Sequence, residues 1–281
     1  MTALNDVKSI IKYREIKIIH RQDVTRRCNI LQMSNFVLTQ GDCLITLKEL
    51  KDNTVDLAIT SPPYFLSKEY EKDWSLDFFK TLLSGVFLQV HRVLQPGGYF
   101  VVNFGDCFNS GNRFYDADVP SVFPASTLYY DWGREVGFDL QATRIWRKQF
   151  AKMGIPFVCN HHPRNVFDYE HVWTFRKRNG SQDETVHDRK LSQRGVLGDG
   201  WASKADLKTH CAAFPIELPM WAINVYSKPG DLILDPFMGS GTTGEASINL
   251  GRRFIGLELN PEYVKIAQAR LQEALGMWSN T

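Results

Sequence analysis

The stretch Asp231-Leu232-Ile233-Leu234-Asp235-Pro236-Phe237-Met238-Gly239-Ser240-Gly241-Thr242-Thr243-Gly244 decides the fold. Asp231 to Leu234 is short and apolar, and reads as a buried strand. The glycines that follow let the backbone approach a ligand and let a helix start at once. Glu245 to Leu250 reads as that helix, and Arg253 to Leu257 as a second strand, ending on Glu258. Strand, Gly-rich turn, helix, and strand ending in an acid make a βαβ nucleotide-binding unit. Glu258 sits where a carboxylate can take both hydroxyls of a ribose. Gly239 to Gly244 also satisfies G-x-G-x-x-G, so a nicotinamide or flavin site is a rival reading. Asp235 points elsewhere: its charge would repel a pyrophosphate but can help hold an ammonium. No Lys follows the last glycine, which excludes a P-loop.

Upstream, Val55 to Thr60 is a second short apolar strand, and it runs straight into Ser61-Pro62-Pro63-Tyr64. The two prolines stop the strand and remove two backbone donors. The residue before each proline is pushed to an extended conformation. The carbonyls of Ser61 and Pro62 are therefore left off the strand end, beside a hydroxyl and an aromatic ring. Such a cluster accepts hydrogen bonds from an amino group and stacks on a flat ring, which suits a nucleobase with an exocyclic amine.

The chain of 281 residues is 43% hydrophobic and 23% charged, as a soluble globular protein is. Its net charge is only +2, so any nucleic-acid surface must come from local segregation of charge. No apolar run is long enough to span a membrane, and Met1 to Lys12 lacks an apolar signal core. Five scattered cysteines without a C-x-x-C pair point to reduced thiols and a cytoplasmic location. None of the five follows a proline, so a Pro-Cys nucleophile is missing.

Residues 1–35 read as a basic arm, and Phe36 to Gln40 as a strand followed by Gly41-Asp42. Asp42 is placed equally well to accept from a ligand N–H or to cap the helix beginning near Leu44. Ser75 to Leu94 carries apolar residues at three- and four-residue steps, with Ser75 as N-cap. Gln95 to Gly98 is a stop, and Tyr99 to Phe104 the next strand. Ala125 to Val136 is a helix ending at Gly137. Asp139 to Arg147 and His171 to Arg176 are strands. Between them, Cys159 to Pro163 has a metal-like composition, but no second Cys/His pair follows at finger spacing, so no metal is expected. Residues 177–212 are polar and basic, either a flexible loop or a small DNA-facing insert, since Arg and Lys donate to phosphates and guanine edges. Phe214 to Ser227 is an apolar helix interrupted early by Pro219, and Pro261 to Leu275 is a terminal helix.

These motifs together resemble the β-group amino-methyltransferases of DNA, which act on cytosine N4 or adenine N6. The resemblance covers residues 36–275. It rests on Thr60 to Tyr64 (TSPPY), Asp235 to Thr243 (DPFMGSGTT), Gly41-Asp42, Val101 to Gly105 (VVNFG), His171 to Arg178 (HVWTFRKR), His210 to Pro215 (HCAAFP) and Glu258. It implies an α/β, Rossmann-like methyltransferase fold: a mostly parallel seven-stranded sheet with one antiparallel strand and helices on both faces. Residues 36–176 and 213–281 would form the catalytic domain, and 177–212 a target-recognition insert. Ser61, Pro62, Pro63 and Tyr64 would be catalytic, with Tyr64 and Phe65 stacking on a flipped-out base. S-adenosylmethionine would lie against Asp42, Thr60, Phe214, Pro215, Asp235, Pro236, Phe237, Gly239, Ser240, Gly241, Thr242 and Glu258. Arg178, Arg189, Lys190 and Arg194 would face double-stranded DNA. The enzyme would act as a monomer or homodimer, beside a separate restriction endonuclease. Ser in the motif favours cytosine over adenine. Asn103 stands where some members carry an acid that supports the catalytic Ser.

Overall fold

The computed structural model describes residues 29–33, 35–65, 74–108, 122–147, 169–178, 188–198 and 214–278. Its centre is a sheet of β1 (Asn29–Gln32), β2 (Phe36–Gln40), β3 (Val55–Thr60), β4 (Leu94–Phe104), β7 (Phe138–Arg147), β8 (Tyr169–Lys177), β9 (Val196–Leu197), β10 (Leu232–Asp235) and β11 (Arg253–Glu258). The spatial order is β1-β2-β11-β10-β3-β4-β8-β7-β9. A small separate ribbon pairs β5 (Cys107–Phe108) with β6 (Val122–Phe123). The helices are α1 (Cys43–Glu49), α2 (Leu76–Val93), α3 (Ala125–Val136), α4 (Arg189–Ser192), α5 (Glu217–Tyr226), α6 (Thr242–Asn249) and α7 (Pro261–Trp278).

The sheet has nine strands among the described residues rather than the seven expected. The central seven match the expectation, with β8 antiparallel to both of its neighbours. The two additions are edges. β1 pairs antiparallel with β2, so the end of the basic arm belongs to the sheet. β9 pairs parallel with β7, which attaches part of the 177–212 segment to the opposite edge.

Period-two alternation on the central strands builds two cores. Ala58, Phe100 and Phe104 face α2 and α3, where Phe79, Leu83, Phe87 and Tyr129 wait, and an irregularity between Val55 and Leu57 turns Val55 to the same side. Leu57, Ile59, Tyr99 and Val101 face the other layer, with Trp221, Ile223 and Tyr226 of α5 and Leu271 of α7. Three helix ends follow local chemistry. Asp42 Oδ1 accepts from Leu44 N and Ile45 N, and Ser75 Oγ accepts from Phe78 N. Gly137 closes α3 at φ 99°, a left-handed geometry that glycine adopts without cost. Pro219 does not interrupt α5. It stands third in that helix, among the N–H groups that have no intrahelical acceptor.

β3 and β10 are parallel neighbours, paired at Leu57↔Ile233 and Ala58↔Leu234. Their carboxyl ends meet where the strand order reverses, the place at which open α/β sheets bind ligands.

Gly133 of α3 packs on the ring of Phe175, which lies among Phe87, Phe100 and Phe138. A Cβ there would stand 2.5 Å from Phe175 Cε1. Gly133→Ala gains about 1 kcal/mol of helix propensity but meets an overpacking cost of about 1–3 kcal/mol. The variant is expected to be less stable than the parent in urea unfolding.

Candidate active site

The site is built where β3 and β10 end. Asp235 is 1% exposed and collects three hydrogen bonds. Thr60 Oγ1 donates to Oδ1 at 2.7 Å, Phe237 N to Oδ1 at 3.0 Å, and Thr243 Oγ1 to Oδ2 at 2.7 Å. Burial pushes the Asp235 carboxyl up to about 6, against the pull of these donors, and nearby Glu258 adds to the rise. Strand β3, strand β10 and the start of α6 are thereby tied at one carboxylate.

The Gly-rich turn follows. Gly241, at φ 86°, opens α6, and a Cβ there would lie 2.9 Å from Ala267 Cβ of α7. A larger residue would push α7 off the turn. The helix takes in Thr242 to Gly244, starting three residues before the expected Glu245. Glu258 Oε2 accepts from Gly239 N at 3.0 Å and Oε1 from Asn260 N at 2.8 Å, so the turn and the end of β11 share one carboxylate. Burial raises the Glu258 carboxyl above its ordinary range. Gly41 N donates to Glu258 O at 2.9 Å, which brings Gly41-Asp42 beside the same strand end. The next residue, Leu259, is 69% exposed.

On the other side of Asp235, the chain after Thr60 forms a second cluster. Ser61 Oγ and Tyr64 Oη are 2.7 Å apart. Tyr64 Oη is 3.0 Å from Glu170 Oε2 and 3.2 Å from the Asn103 carbonyl. Asn103 Nδ2 donates to Tyr64 Oη at 2.5 Å, to Glu170 Oε2 at 2.6 Å and, at the limit of range, to Ser61 Oγ at 3.4 Å. Burial and the adjacent Glu170 carboxylate raise the Tyr64 phenol well above its ordinary range, so it stays protonated. Its ring remains half-buried.

The structure thus gathers Thr60, Ser61, Tyr64, Asp235, Phe237, Gly239, Gly241 and Glu258 at one end of the sheet. Pro62, Pro236 and Ser240, their neighbours in the chain, are buried, and Phe214 and Pro215 are buried just before α5. Thr242 is turned toward α7, where its hydroxyl accepts from Arg270 Nη1 at 2.7 Å. Phe65 does not join Tyr64 as a stacking surface. It is buried in the core against Phe79, with ring centroids 5.3 Å apart.

The four basic residues are not brought together. Arg178 follows β8, 74% exposed on its side chain and 3.3 Å from Asp139 at the start of β7. Because β8 is antiparallel, Glu170 enters at the site and Lys177 leaves about 23 Å away at the other end of the sheet. Arg178 therefore lies far from Ser61. Lys190 and Arg194 are exposed on α4 and the turn before β9, at the edge beside β7. The side chain of Arg189, the 159–163 stretch and most of 177–212 lie outside the described residues.

Two functional-looking side chains escaped the sequence reading. Glu170 precedes the quoted HVWTFRKR strand and carries no local signal; only the β4–β8 register brings it to Asn103. Arg144, inside β7, holds the insert on the sheet. Its guanidinium donates to the carbonyls of Arg194 (2.9 Å) and Ser192 (2.5 Å) and lies 5.0 Å above the ring of Trp221. Among the described residues no helix is long and apolar enough to cross a membrane.

This fold belongs to a known class. The chain matches the N6_N4_Mtase family, described as DNA methylase, over residues 55–269, and it belongs to that family. It is 32% identical to the Type II methyltransferase M.Cfr9I of Citrobacter freundii over 277 residues, 88% of this chain and 91% of that protein. A structure of TTHA0409 from Thermus thermophilus, complexed with S-adenosylmethionine, is similar at TM-score 0.65 and 29% identity, over 86% of this chain and 94% of that one. The PvuII DNA methyltransferase, described as cytosine-N4-specific, superposes at TM-score 0.66 and 25% identity, over 88% and 93%. S-adenosylmethionine is the cofactor, and the protein is a DNA methyltransferase of the N4/N6 family.

Asp235 also sets a pH dependence. Its folded value, about 6, is above the ordinary 3.8, so it contributes stability that is fully present below 3.8 and is lost as pH rises through about 6. In the ligand-free protein, Asp235→Asn cannot ionise and escapes this loss. Urea unfolding from pH 4 to 7 should therefore show the variant gaining on the parent by something on the order of 2–3 kcal/mol.

Proposed function

We propose that the protein transfers a methyl group from S-adenosylmethionine to the N4 amine of cytosine in double-stranded DNA, as the modification partner of a separate restriction endonuclease. The observation that carries this reading is the identity and setting of Ser61. A neutral hydroxyl, not a carboxylate, stands at the end of β3, held 2.7 Å from Tyr64 Oη. The description of the PvuII enzyme as cytosine-N4-specific and of M.Cfr9I as Type II supports it.

The residues present fit the cofactor. Glu258 offers a carboxylate at the strand end, suited to a ribose diol, and exposed Leu259 beside it offers an apolar face for the adenine, with Asp42 near for its amine. Asp235, Phe214 and Pro215 would flank the methionine end, and Pro236, Phe237 and Gly239 to Thr242 would shape the turn around it. A buried carboxylate whose pKa is raised by burial is relieved when a cation binds beside it, which favours a ligand with ammonium and sulfonium charges over a pyrophosphate. Bound there, S-adenosylmethionine supplies an electrophilic methyl group.

The protein's own work is positioning. The target nucleotide is taken out of the stack, because its amine is paired within the duplex. The half-buried Tyr64 ring stacks on it, and the Ser61 hydroxyl and Pro62 carbonyl accept from its amine. The lone pair is drawn out of ring conjugation toward the methyl donor. Arg189, Lys190 and Arg194 lie on the segment that Arg144 anchors, and they would meet the phosphates; Arg178 has no part in this.

Two measurements check the reading. Charge-assisted hydrogen bonds are worth roughly 1.5–3 kcal/mol each, so Glu258→Ala should weaken S-adenosylmethionine binding at least tenfold in calorimetry. Unchanged affinity would show that the βαβ unit holds something else. Nucleoside mass spectrometry of DNA treated with the purified protein should reveal N4-methylcytosine, and Ser61→Ala should lower the yield rate by about 10²–10³. N6-methyladenine alone would move the target to adenine on the same scaffold.

A further inference from the structure

We propose that Glu170 is a positioning residue for methyl transfer: acting through Tyr64, it commits Ser61 to accept from the target amine and takes up the proton the amine loses. The proposal rests on the amine methylation put forward above. It stands on the saturation of one hydroxyl. Tyr64 Oη has one proton to give and two lone pairs to offer. Among the described residues, Glu170 Oε2 at 3.0 Å and the Asn103 carbonyl at 3.2 Å are oxygens that can only accept. The amide donor Asn103 Nδ2 lies at 2.5 Å. The phenol proton goes to an acceptor and one lone pair takes the amide N–H. The remaining lone pair faces Ser61 Oγ at 2.7 Å; either hydroxyl could donate across that contact, and the two acceptors beside the phenol, which have no proton of their own to give, assign the donation to Ser61. Its proton is thereby spoken for, and toward the substrate Ser61 Oγ can only accept. It binds an amine N–H and cannot donate to a ring nitrogen.

Glu170 makes this direction stable. It is 8% exposed, and Asn103 Nδ2 and Tyr64 Oη both converge on its Oε2. A carboxylate accepting from the phenol polarises the whole chain, so that the phenol accepts more strongly from Ser61 and the Ser61 oxygen becomes more electron-rich. Asn103 occupies the β4 position at which an acid would touch Ser61 directly; here the charge comes from β8, one strand over, through the phenol.

The same chain carries the departing proton. The amine nitrogen's lone pair forms the bond to the methyl carbon, and the carbon–sulfur pair leaves with sulfur. One N–H proton then departs, its electron pair staying on nitrogen. That proton passes to Ser61 Oγ as the Ser61 proton passes to Tyr64 Oη and the Tyr64 proton to the Glu170 carboxylate. Ser61 and Tyr64 end neutral, as the raised pKa of the phenol requires.

The test compares the parent, Glu170→Gln, Tyr64→Phe and the double variant, in single-turnover methyl transfer to DNA, with cofactor and DNA affinities measured separately. Glu170→Gln keeps the shape and removes the charge. Its transfer rate should fall about 10²-fold, as expected for loss of proton-transfer assistance, with both affinities within twofold of the parent. Tyr64→Phe keeps the stacking ring and breaks the chain, so it should lose a similar factor. The double variant should be no slower than the worse single one, because both changes cut one chain. A Glu170→Gln rate within threefold of the parent, or losses that multiply in the double variant, overturns the proposal. If Glu170→Gln no longer binds cofactor, Tyr64→Phe decides alone, and a parent-like rate overturns it. A parent protein that methylates no DNA amine overturns the functional reading, and this proposal with it.

Discussion

A single buried carboxylate holds the site together. Asp235 receives hydroxyls from Thr60 and Thr243 and the backbone N–H of Phe237, and these come from β3, from α6 and from the turn after its own strand. Removing a carboxylate from water is expensive unless its oxygens are met, and here three donors meet it. The arrangement locks β3 to β10 at their carboxyl ends. It also keeps a charge poised against ionisation where a positively charged ligand would stabilise it. Structural order and ligand preference thus have one origin.

The sheet uses its two ends differently. At the site end, Asp235, Glu258 and Glu170 present carboxylates to N–H and O–H donors. At the far end, cations close helix termini. Arg92 donates to the carbonyls of Leu47 and Leu50, which end α1. Lys177 donates to Asn53 Oδ1 and the Leu94 carbonyl. Cations at helix carboxyl ends satisfy carbonyls that have no other partner and face the negative end of the helix dipole. The opposite polarity of the two ends follows from the parallel strands and the helices that return between them.

Much of this was readable from local chemistry. The α2 helix, its Ser75 cap, the Gly137 terminus of α3 and the strands ending at Thr60 and Glu258 are set by periodicity and by residues a few positions away. The adjacency of Thr60 and Asp235 was also within reach, since the topology of the family dictates it. What escaped depends on partners distant in sequence. Strand β1 and strand β9 are short edges whose existence is decided by the neighbour they pair with. Arg178 looked like part of a basic insert, but the direction of β8 carries it to the wrong end of the sheet. Phe65 looked like a second stacking ring next to Tyr64, yet its positive φ of 59° turns it into the core. Glu170 becomes meaningful only once β8 lies beside β4. Each of these is a matter of strand direction or register, which local patterns do not encode.

The bond between Thr60 and Asp235 joins residues 175 positions apart. Contacts of such long range are made late in folding, because the loop they close must be ordered before they reward it. During synthesis the Ser61 to Tyr64 segment emerges long before β10 exists, and β4 acquires its neighbour β8 well before β3 acquires β10. A nascent chain therefore carries Ser61 to Tyr64 for most of translation without the strand that ties down the end of β3. Products of translation cut short before β10 carry the Ser61 to Tyr64 segment but lack the carboxylate to which Thr60 is tied.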